Sequence, residues 1–228
     1  MNTYGTDVNK DEIILSSHNE QVMMEWEKPY MEESIDILKP TGNVLEIGFG
    51  FGYSASQILK FKPKSYTVIE CDPAVIEKAK KWREKYPDIK ITIIKGTWQE
   101  KIHSLGIFDE IYFDDFPLDL HSGSSKREIA IGMKRFQIFF DLCIQNHTRV
   151  GSKMCWYINE TKTLAELECI SPFINIELKN INIKIPSNCR YRNLREQICT
   201  IPIATKIKSY SPEEAKEFMR NRIPKFTA

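Results

Sequence analysis

No C-x-x-C pair occurs among the six cysteines, and no His/Cys spacing is of the zinc-finger kind. That excludes the common structural zinc modules. In a chain of 228 residues it also points to reduced thiols rather than a disulfide framework. An excess of charge is missing too: 32 basic residues face 31 acidic ones, for a net charge of +1. The electrostatic footprint of a nucleic-acid or membrane-surface binder is therefore absent. The longest apolar stretches, such as FQIFFDLCI at 136–144, fall far short of the roughly 20 residues that cross a bilayer. The opening MNTYGTDVNKDEIIL has no basic region followed by an apolar one, so no secretory signal is expected. No repeat or low-complexity tract appears. With 42% hydrophobic residues, the expectation is a cytoplasmic protein with a full core, built as one domain over residues 1–228.

Residues 1–17 are polar, lack periodicity and read as an N-terminal arm. Apolar residues then recur at helical spacing from His18 to Leu38. Short apolar runs follow, alternating with helical patterns. NVLEIG (43–48), SYTVIE (65–70), IKITIIK (89–95), FDEIYFD (108–114) and SKMCWYI (152–158) read as buried strands. SASQILKF (54–61) and DPAVIEKAKKWREKY (72–86) read as helices, the second with Asp72 as cap and Pro73 in its first turn. A longer amphipathic stretch runs from about Glu128 to Asn146, and TKTLAELEC (161–169) reads as a short helix. NIELKNINIKI (175–185) and REQICTIPI (195–203) alternate with period two and form a closing antiparallel pair. SPEEAKEFMRNR (211–222) is an extra C-terminal helix capped by Ser211. Strands alternating with helices give an α/β fold with a parallel sheet, made mixed by the final pair.

Only ten glycines are present, yet three fall in one loop, LEIGFGFG, at positions 48, 50 and 52. Open α/β sheets bind ligands beyond the carboxyl ends of their strands, and glycines there let a ligand lie against bare main chain. The next strand ends in Glu70, an acid placed to accept from ribose hydroxyls. A nicotinamide cofactor and S-adenosylmethionine both suit this pattern. Acid in the strand plus E-x-G-x-G-x-G favours S-adenosylmethionine. So do Phe51 and Tyr53, which crowd a loop that a pyrophosphate would need clear.

The phrases VMMEWEKPYM, VLEIGFG, VIEC, KGTW and FDEIYFDDFPL resemble guanidinoacetate N-methyltransferase and its relative, the fungal and plant type of protein arginine N5-methyltransferase. The likeness runs from about Val22 to Leu118, with echoes at INET (158–161) and CRY (189–191). It implies the class I methyltransferase (Rossmann-like) fold, a seven-stranded mixed sheet with helices on both faces. It implies S-adenosylmethionine as cofactor, lined by Gly48, Gly50 and Gly52, with Glu70 on the ribose and Cys71 and Asp72 beside the adenine. Gly96, Thr97 and Trp98 would close over the adenine, and Met23 and Met31 would touch the cofactor from the first helix. Glu27 and Asp114 would grip the substrate's guanidino group, with Asp114 also beside the cofactor. Asn159, Glu160 and Thr161 fall where the family holds a substrate carboxylate. Glu160 departs from the pattern, since its charge would repel such a carboxylate.

The chemistry supports the same pair. A guanidinium is delocalised and protonated, so it must be held flat and must lose a proton to become a nucleophile. Two carboxylates can pair with the planar fork, and one can act as base. Each contact at about 4 Å is on the order of 4 kcal/mol in a moderate dielectric, before desolvation. Asp114 and Asp115 are neighbours, and strand alternation lets only one face the site; the resemblance selects Asp114. Met23, Glu27 and Met31, at i, i+4 and i+8, would share one face of a helix that Pro29 bends. The expected substrate is a small guanidino compound. A protein or peptide arginine is the alternative, followed by an NAD-linked oxidoreductase or an inactive methyltransferase-fold binding module. DDFP (114–117) lacks the D/N-P-P-Y/F of nucleic-acid amino-methylating enzymes.

Overall fold

A computed structural model of the chain describes residues 1–116, 135–158, 173–191 and 197–209, with positions 211, 213, 214 and 217 near the C-terminus. Seven strands form the main sheet. In chain order they are β4 (Asn43–Ile47), β5 (Ser65–Glu70), β6 (Ile91–Lys95), β7 (Phe108–Phe113), β8 (Thr148–Trp156), β9 (Ile174–Asn182) and β10 (Ile198–Lys206). Their order across the sheet is β6-β5-β4-β7-β8-β10-β9. The first five pair in parallel, and β10 runs antiparallel to both β8 and β9. The order reverses at β4, which lies between β5 and β7. In open α/β sheets a ligand crevice forms at such a reversal.

The elements follow from local chemistry. β4 reads NVLEI because it is covered on both faces: Val44 to Ile47 are all buried. Helix α1 (Lys28–Leu38) starts with Pro29 in its first turn, where the missing N–H costs nothing. It ends at Lys39, in the left-handed conformation, just ahead of Pro40. Helices α2 (Tyr53–Lys60) and α3 (Pro73–Arg83) follow β4 and β5. The Asp72 side chain caps α3 by accepting from the amides of Ala74 (2.8 Å) and Val75 (3.2 Å). A single turn, α4 (Trp98–Lys101), follows β6, and α5 (Arg135–Leu142) precedes β8. Ile35, Leu38, Ile58, Val75 and Ala79 pack on one face of the sheet. Trp98, Phe139 and Phe140 pack on the other. Near the C-terminus, Ser211 Oγ accepts from the Glu214 amide at 3.1 Å; most of the helix expected at 211–222 lies outside the described residues.

Two expectations change. The arm at 1–17 is regular structure: β1 (Thr3–Thr6) and β2 (Glu12–Leu15) pair antiparallel and continue into β3 (Gln21–Met24). The run from His18 to Leu38 is not one helix. It is β3, a 3₁₀ turn at Glu25–Glu27, then α1. The helical period is carried by residues from Glu27 onward. Met23 and Met24 belong instead to strand pairing, opposite Ile14 and Ile13. Met23, Glu27 and Met31 therefore sit on three successive elements and share no helix face. The helix expected at 161–169 and the first part of the amphipathic stretch expected from about Glu128 lie outside the described residues.

Candidate active site

At the carboxyl ends of β4, β5 and β7 lies a cavity of about 490 Å³. That is within the range of small-molecule sites, about 300–1,000 Å³. Its floor is the turn after β4. Gly48 (φ +82°) and Gly50 (φ +54°) adopt backbone that side chains rarely tolerate. A Cβ at Gly48 would meet the Asp114 carbonyl, and one at Gly50 would meet the Met23 sulfur. Glu70, at the end of β5, fixes this turn from below. Its carboxylate accepts from the amides of Phe49 (2.9 Å), Cys71 (2.7 Å) and Asp72 (2.8 Å). Burial still raises its pKa, the amides only partly offsetting the desolvation.

The N-terminal strands close one side. The Asn2 amide donates to Asp72 Oδ2 at 2.6 Å, and the Tyr4 hydroxyl donates to the Gly50 carbonyl at 3.1 Å. Lys78 Nζ sits 3.2 Å from the centre of the Tyr4 ring. At the β6 end, Gly96, Thr97 and Trp98 line the cavity together with Cys71 and Asp72. The Trp98 indole N–H donates to Asp115 at 2.7 Å, and the same Asp115 oxygen pairs with Arg135. Burial and the charges of Glu70 and Asp115 push the Cys71 thiol up to about 12, so it is an inert wall.

Glu27 and Asp114 line the same cavity and act on each other through their charges. Glu27, only 3% exposed, ends the 3₁₀ turn, and its Oε2 accepts from the Met24 amide at 2.9 Å. Asp114 follows β7, with its amide on the Ile47 carbonyl at 3.0 Å. Both line the cavity with Tyr157 and Tyr191. Burial raises the Asp114 pKa well above the carboxylate range, and the charge of Glu27 adds to it. Burial, then Glu27, likewise raises the Tyr191 hydroxyl. A third acid, Glu46, is fully buried inside β4. The hydroxyls of Ser54 and Tyr66 donate to it, and burial pushes it up to about 7.

Of the residues expected at the site, Met23, Glu27, Gly48, Gly50, Glu70, Cys71, Asp72, Gly96, Thr97, Trp98 and Asp114 line this one cavity. Gly52 does not. It begins α2 with the Phe49 ring against it. Met31 does not either: it is buried in α1, where its sulfur accepts from the Tyr112 hydroxyl at 2.8 Å. Asn159, Glu160 and Thr161 lie outside the described residues. Asp115 joins Asp114 in the lining. β7 ends at Phe113, so strand alternation no longer separates the two acids. Asn2, Gln21, Arg135, Tyr157 and Tyr191 also line the cavity. Of these only Tyr191, in the CRY phrase, carried any signal in the sequence.

The sheet order and the glycine-floored cavity define the class I methyltransferase fold. Solved structures agree. The O-methyltransferase from Bacillus cereus in complex with S-adenosylhomocysteine superposes at a TM-score of 0.55 with 12% identity, over 84% of each chain. The N-methyltransferase NodS from Bradyrhizobium japonicum superposes at 0.54 with 13% identity, over 80% of this chain and 97% of its own. A sequence profile of the guanidinoacetate N-methyltransferase family matches residues 3–206, and the chain belongs to that family of N-methyltransferases. Among curated relatives, protein arginine N-methyltransferase 2 of Candida glabrata is 28% identical over 187 residues, covering 77% of this chain and 44% of its own length. Its namesake from Yarrowia lipolytica is 34% identical over 124 residues, 49% of this chain and 25% of the relative. The chain thus spans less than half the length of these relatives. Among the described residues no helix is long and apolar enough to cross a membrane.

Proposed function

We propose that the chain transfers a methyl group from S-adenosylmethionine to a nitrogen of a guanidino compound. The observation that carries this reading is the pair Glu27 and Asp114: one buried and one half-buried carboxylate, on separate elements, lining one cavity beside the glycine turn. Like charges in a desolvated site are costly unless a cation joins them. The one cationic side chain of the described lining, Arg135, is already paired with Asp115. A planar cationic ligand that donates to both carboxylates answers the charge pattern.

The cavity fits the cofactor on its own features. The glycine turn leaves main chain bare where a Cβ at 48 or 50 would intrude. Glu70 retains acceptor capacity beyond its three amides. S-adenosylmethionine, when bound, supplies an electrophilic methyl group on a sulfonium, which becomes a thioether on transfer. The protein's part is positioning and proton management. Glu27 and Asp114 hold the guanidinium flat by charge-assisted hydrogen bonds. Asp114, ionised beside the bound guanidinium, is the base that takes the proton the nitrogen gives up.

Small guanidino compounds are the proposed substrates. Arginine within a protein is the second reading, favoured by the names of the curated relatives. Methyl transfer to guanidinoacetate, free arginine, agmatine and arginine peptides, measured side by side, separates the two. Glu27→Gln and Asp114→Asn should each lower turnover by about 10²–10⁴-fold while leaving S-adenosylhomocysteine affinity within a few-fold of wild type. Full turnover in both variants would remove the carboxylate pair from the mechanism.

A further inference from the structure

The cavity lining carries a second charged group, which the resemblance does not assign. Arg135, at the start of α5, and Asp115, just past β7, form an ion pair with side chains only 15% and 14% exposed. Asp115 also accepts from the Trp98 indole at 2.7 Å, and its charge reaches Cys71. Trp98 is held edge-on by Phe113 and Phe139, at ring-centre distances of 6.4 and 5.2 Å. Trp98, Asp115 and Arg135 therefore form one fixed unit in the cavity lining. One donor in the unit is unanswered: Arg135 Nε is buried and has no hydrogen-bond partner among the described residues. Buried guanidinium N–H groups are rarely left so, and Arg135 lines the cavity. A ligand can supply the missing acceptor.

We propose that Arg135, oriented by Asp115, reads the edge of the cofactor's purine by donating Nε–H to a ring nitrogen. The proposal rests on the S-adenosylmethionine reading above. Three observations select a purine nitrogen over a substrate carboxylate. Arg135 is tied to Asp115 and, through it, to Trp98. Trp98 and Cys71 line the same cavity as an aromatic and a small apolar wall, suited to a flat heterocycle. Asp115 offsets the guanidinium charge, leaving a directed donor instead of a free cation for an anion.

The test is calorimetric binding of S-adenosylhomocysteine, adenosine and the 1-, 3- and 7-deaza adenosines to the intact chain and to Arg135→Lys. Lysine keeps a charge for Asp115 but has no Nε–H of that geometry. Arg135→Lys should weaken S-adenosylhomocysteine and adenosine by a similar factor, about tenfold, corresponding to 1.4 kcal/mol. One deaza analogue should bind the wild type about tenfold more weakly than adenosine, and that gap should close in Arg135→Lys. Asp115→Asn, which keeps an acceptor for Trp98, should show an intermediate loss. Thermal unfolding of each unliganded variant identifies simple misfolding. A misfolded variant shifts that purpose to the wild-type deaza series, where equal binding of all three analogues overturns the proposal. Equal affinities in wild type and a folded Arg135→Lys overturn it too, as does a loss confined to the guanidino substrate. Failure of the wild type to bind S-adenosylhomocysteine at all would overturn the cofactor reading, and this proposal with it.

Discussion

The backbone carbonyl of Asp114 fills the space in which a side chain at Gly48 would begin. The turn that faces the cofactor end and the acid that faces the substrate end are thus in direct contact. Gly48→Ala should be damaging on two counts, since the position also has φ +82°. Strain of this kind costs about 1–3 kcal/mol before the collision is included. A chain of this size should lose about 6–12 °C in Tm for a total near 3 kcal/mol. Differential scanning calorimetry checks the fall, and an unchanged Tm would show that the turn can move away from Asp114.

Asp114 predicts a proton signature for ligand binding. Burial, then the charge of Glu27, keeps its pKa well above the carboxylate range. A bound guanidinium favours the ionised form and lowers that pKa. Below the raised pKa, binding therefore releases a proton, and affinity increases with pH. Calorimetry with agmatine at one pH, in two buffers of different ionisation enthalpy, counts the released protons. Asp114→Asn should abolish the release.

Glu46 predicts a pH dependence of stability. Burial pushes it from 4.5 to about 7, against the lowering effect of the Ser54 and Tyr66 hydroxyls. The folded state holds the proton more tightly than the unfolded one. The stabilisation is therefore full below about pH 4.5 and is lost as pH rises through about 7. The shift corresponds to roughly 3 kcal/mol. Tm measured at pH 5 and pH 8 should differ less in Glu46→Gln than in wild type. The slope should shrink without vanishing, because Glu70 and Asp114 are raised as well.

Asp72 joins a helix cap to the N-terminal strands. Asp72→Ala should cost about 1 kcal/mol for the cap and should release the Asn2 amide. Hydrogen exchange by mass spectrometry would then show faster exchange over Thr3–Thr6 and at the start of α3. Asp72→Asn, which still caps, should restore α3 more fully than the strand.

The parallel sheet was legible because each buried strand is an apolar run bounded by turn residues. SYTVIE reads as a strand at 65–70 and spans Ser65–Glu70. Asp72 and Pro73 likewise announced α3. The misreadings share a cause: local pattern was taken where tertiary contact decides. Met23 and Met24 fit a helical period, yet pairing with Ile14 and Ile13 makes them a strand. Gly52 completes the glycine pattern but turns its back on the cavity, toward Phe49. Met31 fits a face that does not exist once Glu27 ends a 3₁₀ turn. Arg135, Tyr157 and Tyr191 reach the cavity from α5, from just past β8 and from the segment after β9, and no spacing links residues so far apart.

Gln21 gives the molecule an order of events. Its side-chain nitrogen donates to the Asn188 carbonyl at 2.8 Å, and its oxygen accepts from the Arg190 amide at 2.7 Å. Tyr191 follows directly, so its place beside Glu27 depends on a clasp between residues 167 and 169 positions apart. Contacts of such separation close large loops and form slowly. The glycine turn, Glu70 and Trp98 all lie within the first hundred residues. A refolding chain should accordingly regain its grip on S-adenosylhomocysteine before it regains turnover.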